Sequence, residues 1–418
     1  MVGGVEAQRY RTALVLSGGG ARGAYEAGVV AALVERVIPR LPPGFEFDIV
    51  SGTSVGAIHA AYVAASSGEE PETRSARLVE TWSEMDLADV FDLRLRDLLG
   101  IPLRALGLRP LRRPAPGPAQ AESVGGLVDV APLERLVAAR IPWGRLPVNL
   151  ARRRPGVLCV SCTEVRSGKV TVFMDGPLAE PGPWGFDPAA RAIRTEIGAS
   201  HVRASAALPF LFPAVRIGER YYVDGGLRMN TPLSPALRLR AERVVVVALK
   251  HAPEGEGPEF PDEAITQPAF LIGKVLDSLL LDQLEYELHR MGLVNAWIER
   301  GTRVFGPDFL ERINVAVSEQ RGVGFRHVET VVIRPSQDIG RIAAHCMRGR
   351  KARRLGLLPS LLARSALSGV PENEADLLSY LLFDKSFTRE LVDLGRRDTL
   401  VLEDPLVALL GADPREAV

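Results

Sequence analysis

Apolar positions along the chain follow two patterns. Short unbroken apolar runs bounded by glycine mark strands buried on both faces, and stretches with apolar residues every three or four positions mark helices. Residues 12–17 are the first such run. They lead into Gly18-Gly19-Gly20-Ala21-Arg22-Gly23 and then a helical stretch, 24–37, that stops ahead of Pro39. A second strand, 45–51, passes through Gly52-Thr53-Ser54-Val55-Gly56 into helix-forming residues 57–65. Strand, glycine loop, helix and strand make a βαβ unit. Its two strands are therefore parallel, and the loops that follow them open at one sheet edge.

Further on, residues 72–93 carry Leu78, Val79, Trp82 and Met85 at helical spacing, a core pattern. Residues 132–140 read as a short helix with a proline near its start. Residues 157–165 and 169–173 read as a hairpin around Arg166-Ser167-Gly168, and 214–217 with 220–223 as another around Gly218-Glu219. Residues 189–200 and 201–207 read as helical up to Pro209, and 243–249, with four consecutive valines, as a buried strand. Beyond it the pattern is mainly helical, at about 267–301, 339–347 and 387–394, with one short strand at 330–333. The expectation is an α/β domain with a mainly parallel central sheet over 11–250. A mainly helical C-terminal region, 251–418, follows it, separate or packed on it as one unit.

The turn at Ser54 is the first candidate for chemistry. Gly-x-Ser-x-Gly between strand and helix forces the serine into a strained conformation with its hydroxyl exposed at the strand's carboxyl end. Glycine at 52 and 56 lets neighbouring backbone pass without a Cβ clash. Ser54 is thus the expected nucleophile. The βαβ geometry brings the loop of Gly18, Gly19, Gly20, Arg22 and Gly23 beside it. Gly18-x-Gly20-x-x-Gly23 also fits a dinucleotide fingerprint, but the second strand ends in Ser51-Gly52-Thr53-Ser54, where that fingerprint needs an acidic residue. No Gly-Lys-Ser/Thr follows, so a Walker-type phosphate loop fails too. What remains is a set of free N–H groups at a helix N-terminus, strengthened by the helix dipole and Arg22, suited to an oxyanion. Each donor of that kind is worth about 3 kcal/mol in the transition state.

Composition narrows the setting. Lys+Arg and Asp+Glu both number 51, so no global charge favours nucleic acid or an anionic membrane. Three cysteines cannot make a disulfide framework, which fits a reducing compartment. Cys159 and Cys162 lie in a strand-like run, where positions three apart face opposite sides and cannot share a metal. Residues 1–11 lack an apolar signal core, and nowhere do 18 uncharged apolar residues run together. The expected location is cytoplasmic, with any membrane contact peripheral. Residues 94–126, arginines among leucines and then Pro-rich, read as a solvated surface loop or a flap over the site. The basic run 348–354 reads as a solvated turn before a core helix, ahead of a lipid-surface anchor.

A serine needs a base. His251, His289, His327 and His345 all follow Asp224, so a Ser-Asp-His order is open by count, although none sits in a strand-end loop with its own turn signature. On spacing alone Asp224-Gly225-Gly226 is a plain turn. The ordered triple decides: Gly-Gly-Gly-Ala-Arg-Gly at 18–23, Gly-Thr-Ser-Val-Gly at 52–56 and Asp-Gly-Gly at 224–226 resembles the three motifs of the patatin-like phospholipase family. Residues 204–213 also resemble that family's intervening segment. The resemblance covers roughly residues 11–250. It implies a three-layer α/β/α fold and a lipid acyl hydrolase acting on a glycerolipid or phospholipid, with no metal and no cofactor. In that scheme Ser54 attacks the ester, Asp224 accepts its proton, and the N–H groups of Gly19, Gly20 and nearby loop residues hold the oxyanion. Such an aspartate must be partly desolvated, because a carboxylate near its usual pKa of about 3.9 is a feeble base. The competing readings are a Ser-His-Asp esterase and a non-catalytic membrane-surface protein on the same fold.

Overall fold

The computed structural model describes residues 11–91, 123–124, 126, 128–209, 211–251, 283–348 and 376–411. Its strands are β1 (Thr12–Leu16), β2 (Ile49–Thr53), β3 (Ser123–Val124), β4 (Val157–Glu164), β5 (Val170–Asp175), β6 (Ala190–Arg194), β7 (Ala214–Ile217), β8 (Arg220–Asp224), β9 (Arg243–Val247) and β10 (Glu329–Ile333). They form one sheet in the order β10-β9-β1-β2-β4-β8-β7-β3, with β5 on β4 and β6 on β5. The centre, β10-β9-β1-β2-β4, is parallel throughout, while β8, β7, β3 and β5 pair antiparallel.

Side chains along these strands alternate between two buried clusters, as a period of two requires. Leu14, Leu16, Val50, Val160, Val245 and Val247 enter one cluster, and Ala13, Val15, Ile49, Val244 and Val246 the other. Cys162 and Cys159 fall in opposite clusters, so the Cys-x-x-Cys spacing brings no two thiols together.

Helices cover both faces and make three layers. On the first face lie α1 (Gly23–Ala32), α2 (Val55–Ser66), α3 (Pro71–Ser83), α4 (Ala131–Arg140) and α5 (Ala199–Ser205). On the second lie α6 (Leu233–Arg238) and α7 (Gln283–Phe305), with α8 (Phe309–Arg321) packed on α7. The chain then returns to the first face as α9 (Ile339–Arg348), α10 (Asp376–Leu381), α11 (Lys385–Val401) and α12 (Glu403–Gly411). The C-terminal region is thus woven into the rest: β10 pairs with β9 along its length, and α11 lies on α1. Asp384 fixes the start of α11, its Oδ1 accepting the Ser386 N–H at 2.9 Å, a cap worth about 1 kcal/mol.

One expected helix is a strand. Residues 190–194 run parallel to β5 as the edge strand β6, although alanine and arginine favour helix. The pairing wins because the segment also reads with period two: Ala190 and Ala192 join one cluster and Ile193 packs on the other. The helical stretch resumes only at Ala199. α6, α8, α10 and α12 had no counterpart in the sequence reading. Residues 1–10, 94–122, 267–282 and 349–362, including most of the flap and of the basic run, lie outside the described residues.

Candidate active site

β4 acts as the ruler of the site. β5 occupies one edge of it over 158–163, so β2 and β8 share the other edge. β2 runs parallel to β4 and ends with Thr53 opposite Ser161. β8 runs antiparallel and ends with Asp224 opposite Cys162, the next residue. Two strands pointing at each other thus finish one β4 residue apart, and Ser54 meets an aspartate 170 positions away. The Ser54 hydroxyl donates to Asp224 Oδ2 at 2.6 Å.

Ser54 takes φ 56° and ψ −125°, a conformation costly for a residue with a Cβ and characteristic of a nucleophile at a strand-to-helix elbow. The surroundings enforce it. A Cβ at Gly52 would strike the backbone of Gly56, and one at Gly56 the carbonyl of Leu16. The Ser54 N–H donates to Ser205 Oγ at 2.9 Å, and the Ser205 hydroxyl donates to the Ser161 carbonyl at 2.6 Å. Ser205 therefore ties the elbow to β4. Ser205→Ala leaves the Ser54 N–H without that acceptor, and the expected result is a roughly tenfold fall in kcat with KM little changed, read by steady-state ester hydrolysis.

Asp224 is 3% exposed. Burial pushes its carboxyl up to about 6, even though the Ser54 hydroxyl and the Gly226 N–H, which donates to Oδ1 at 2.7 Å, pull the other way. Gly225 sits tightly over β4, where a Cβ would strike the Ser161 carbonyl. No histidine forms a hydrogen bond to Ser54 or Asp224 among the described residues. His59 Nδ1 pairs with Glu26 Oε2 at 2.6 Å, His251 Nδ1 with the Pro335 carbonyl oxygen, and His327 with Glu299.

The glycine loop lies against this pair, and its members divide by role. The Gly18 N–H is already taken by the Asn230 carbonyl, and Asn230 Nδ2 donates back to the Gly18 carbonyl, each at 3.0 Å. The N–H groups of Gly19 and Gly20 have no acceptor among the described residues, and both glycines line the space around Ser54 and Asp224. Gly20 has φ +57°, and a Cβ there would strike the Tyr380 carbonyl. Gly23 starts α1 packed on Val55 and Trp82. Arg22 reaches the C-terminal segment rather than the cleft: its Nε donates to Ser379 Oγ at 2.7 Å and its guanidinium lies 4.2 Å from the centre of the Tyr380 ring.

Behind the loop, the Ser17 N–H donates to Glu26 Oε1 at 2.8 Å. Glu26 and His59 are fully buried, and burial pushes the Glu26 carboxyl up against the pull of His59 and Ser17. The pair links α1 and α2 just beneath the loop and the elbow. Ser205, Asn230, Glu26 and His59 were not singled out from the sequence. Their contacts are made by the fold, and only Ser205 lies in a stretch, 204–213, that the sequence marks.

Ser54 opens onto an apolar cleft of about 730 Å³, part of it open to solvent, walled by residues such as Ile58, Leu78, Trp82, Leu133 and Val137. Among the described residues no helix is long and apolar enough to cross a membrane.

A family model described as Patatin-like phospholipase matches residues 14–237. No curated protein matches the chain. Among solved structures, the chain is similar to VipD from Legionella pneumophila at 16% identity, with 92% of this chain and 67% of that one covered and a TM-score of 0.34. It is also similar to human GIVD cytosolic phospholipase A2, at 13% identity with 96% and 60% covered and a TM-score of 0.43. For that enzyme in complex with methyl gamma-linolenyl fluorophosphonate the identity is 13%, with 96% and 58% covered and a TM-score of 0.40. The chain thus spans about three fifths to two thirds of the length of these proteins.

Proposed function

The chain belongs to the patatin-like phospholipase family, a family of lipid hydrolases, and from that premise we propose that it cleaves acyl esters of glycerolipids with a Ser54–Asp224 dyad. The observation that carries the proposal is the 2.6 Å hydrogen bond from the serine hydroxyl to a buried carboxylate. Asp224 Oδ2 takes the proton as Ser54 Oγ attacks the ester carbonyl carbon. The negative oxygen of the tetrahedral intermediate is held by the N–H groups of Gly19 and Gly20 in the loop ahead of α1. As the intermediate collapses, the C–O bond to the alcohol breaks, Asp224 returns its proton to the leaving oxygen, and the acyl group stays on Ser54. Water then attacks the acyl carbon with Asp224 as base, and the freed acid departs as Ser54 recovers its proton.

The apolar cleft supports a hydrocarbon ligand. The same reading takes residues 11–250 as the acyl hydrolase domain with 251–418 packed on it as one unit, supported by the β10–β9 pairing and by α11 on α1. Substrate reaches it by peripheral contact with a lipid surface.

The direct test is covalent labelling by an alkyl fluorophosphonate, expected in the native protein and lost in Ser54→Ala. A native protein that stays unlabelled favours a binding role on the same fold and ends the hydrolase reading. The pH profile is a second check. The base must be ionised and its carboxyl sits at about 6, so kcat/KM is expected to fall about tenfold per pH unit below that point and to level off above it. A rate unchanged from pH 8 to pH 4 contradicts Asp224 as the base.

A further inference from the structure

The cleft has two apolar arms, not one, and both are lined by Ser54. Gly20, Ser54, Ala206, Phe212 and Phe383 line both. The first arm runs beneath α2, α3 and α4, past Ile58, Trp82 and Val137. The second is lined by Leu208, Leu211, Tyr380 and Leu381, together with Asp224 and Asn230. Resting on the hydrolase reading above, we propose that the second arm holds the second hydrocarbon chain of the substrate, which makes the preferred substrate a diacyl glycerolipid rather than a single-chain lipid.

The chemistry of the second arm decides what enters it. Leu208, Leu211, Phe212, Leu381 and Phe383 are each left half-buried around the nucleophile, an apolar surface that gains from being covered. Its carboxylate and its amide are committed elsewhere: Asp224 to Ser54 and Gly226, and Asn230 to Gly18. None of the described residues lining it is a lysine, arginine or histidine, so it offers no side-chain cation to a phosphate headgroup. A hydrocarbon chain satisfies these walls; a charged headgroup does not. Esters on adjacent glycerol carbons place two chains side by side at the reacting centre, and two apolar arms that share Ser54 fit that geometry.

Three of the residues lining the second arm come from outside the matched stretch 14–237. Tyr380, Leu381 and Phe383 come from α10 and the turn after it, and this segment is fixed to the catalytic loop. The Tyr380 carbonyl packs directly on Gly20, Ser379 accepts the Arg22 Nε–H, and the Arg22 guanidinium covers the Tyr380 ring. Leu381 and Phe383 also pack against the first-face core. The C-terminal region thus sets specificity from a constant position beside the nucleophile.

The test compares dioleoyl phosphatidylcholine with its single-chain oleoyl lyso counterpart in the same mixed micelles, using the full chain. The native protein is expected to favour the two-chain lipid in kcat/KM by about tenfold or more, the discrimination an apolar pocket provides. Leu381→Gln and, independently, Leu208→Gln bring that ratio close to one by making the second arm polar. Leu136→Gln, facing the first arm, lowers both rates and leaves the ratio in place. Melting curves identify a variant that has lost its fold, and two substitutions on separate segments guard against that loss. A native protein that prefers the single-chain lipid, or a ratio unmoved by both second-arm variants, overturns the proposal. Fluorophosphonate labelling of the native protein separates the two failures: labelled protein with an unmoved ratio removes only the second-chain site, whereas unlabelled protein removes the hydrolase reading beneath it.

Discussion

Asp224→Asn is expected to lower kcat/KM for an ester by about three to four orders of magnitude and, at the same time, to raise the melting temperature at pH 8. The two effects have one cause. A carboxylate held in a buried site is a stronger base than one in water, and the same desolvation makes it a liability for the fold. Its carboxyl sits at about 6 against an ordinary 3.8. That shift corresponds to at most about 3 kcal/mol by which the folded state disfavours the charge. The sign follows from proton binding: the folded state holds the proton more tightly, so the penalty is absent below about pH 4, grows through pH 4–6 and is full above. Asparagine carries no charge and fits the same contacts. Its Oδ1 keeps the Gly226 N–H while its NH₂ faces the Ser54 oxygen, whose hydroxyl turns from donor to acceptor. Melting curves of both proteins at pH 4 and pH 8 read the stability half, and steady-state kinetics the other. A variant that loses activity and melts lower at pH 8 would show that the carboxylate is a net stabiliser, and the desolvation account of its basicity would fail.

The parts of the site legible in the sequence are those whose geometry is local. β1, the glycine loop, α1, β2 and the elbow at Ser54 follow one another within a single βαβ unit, so run lengths and glycine positions were enough to order them. Asp224 was different. Its approach to Ser54 depends on the shared edge of β4, where Thr53 and Asp224 occupy successive registers, and no spacing in the chain encodes that. Motif resemblance nominated the residue; the register is the physical reason it arrives. Ser205 and Asn230 belong to the same class, each holding backbone of a segment more than a hundred residues away. Arg22 shows the converse. Its position in the glycine loop suggested a charge aimed at an anion, but Ser379 and Tyr380 draw the guanidinium to the C-terminal segment, and proximity in sequence does not reveal where a long side chain turns. The edge strand β6 was misread because alanine and arginine favour helix locally, a preference of tenths of a kcal/mol per residue that sheet pairing readily overrides.

The coupling between the glycine loop and the C-terminal helices yields the second large expected effect, in the helix that starts at the loop. Gly28 lies in the middle of α1, fully buried, with the Val392 carbonyl of α11 directly over it. Gly395 on α11 makes the reciprocal contact, lying against the Tyr25 carbonyl of α1. Two glycines thus let the helices approach until backbone meets backbone, a spacing that a single Cβ prevents. In an open helix, glycine to alanine stabilises by about 1 kcal/mol. At Gly28 the added methyl meets the oxygen, carbon and Cα of Val392, all within 3.0 Å. Rigid backbone cannot give way as a flexible side chain would. The expected outcome of Gly28→Ala is therefore a reversal of sign, a loss of about 2–3 kcal/mol from overpacking, with ester hydrolysis falling at least tenfold as α11 is pushed outward with the segment before it. Gly292→Ala on α7 is the control, because a Cβ there meets nothing within 4 Å, and it is expected to melt at or slightly above the native temperature. Should Gly28→Ala melt as high as Gly292→Ala, the helices are further apart than described, and the C-terminal wall loses its fixed seat against Gly20.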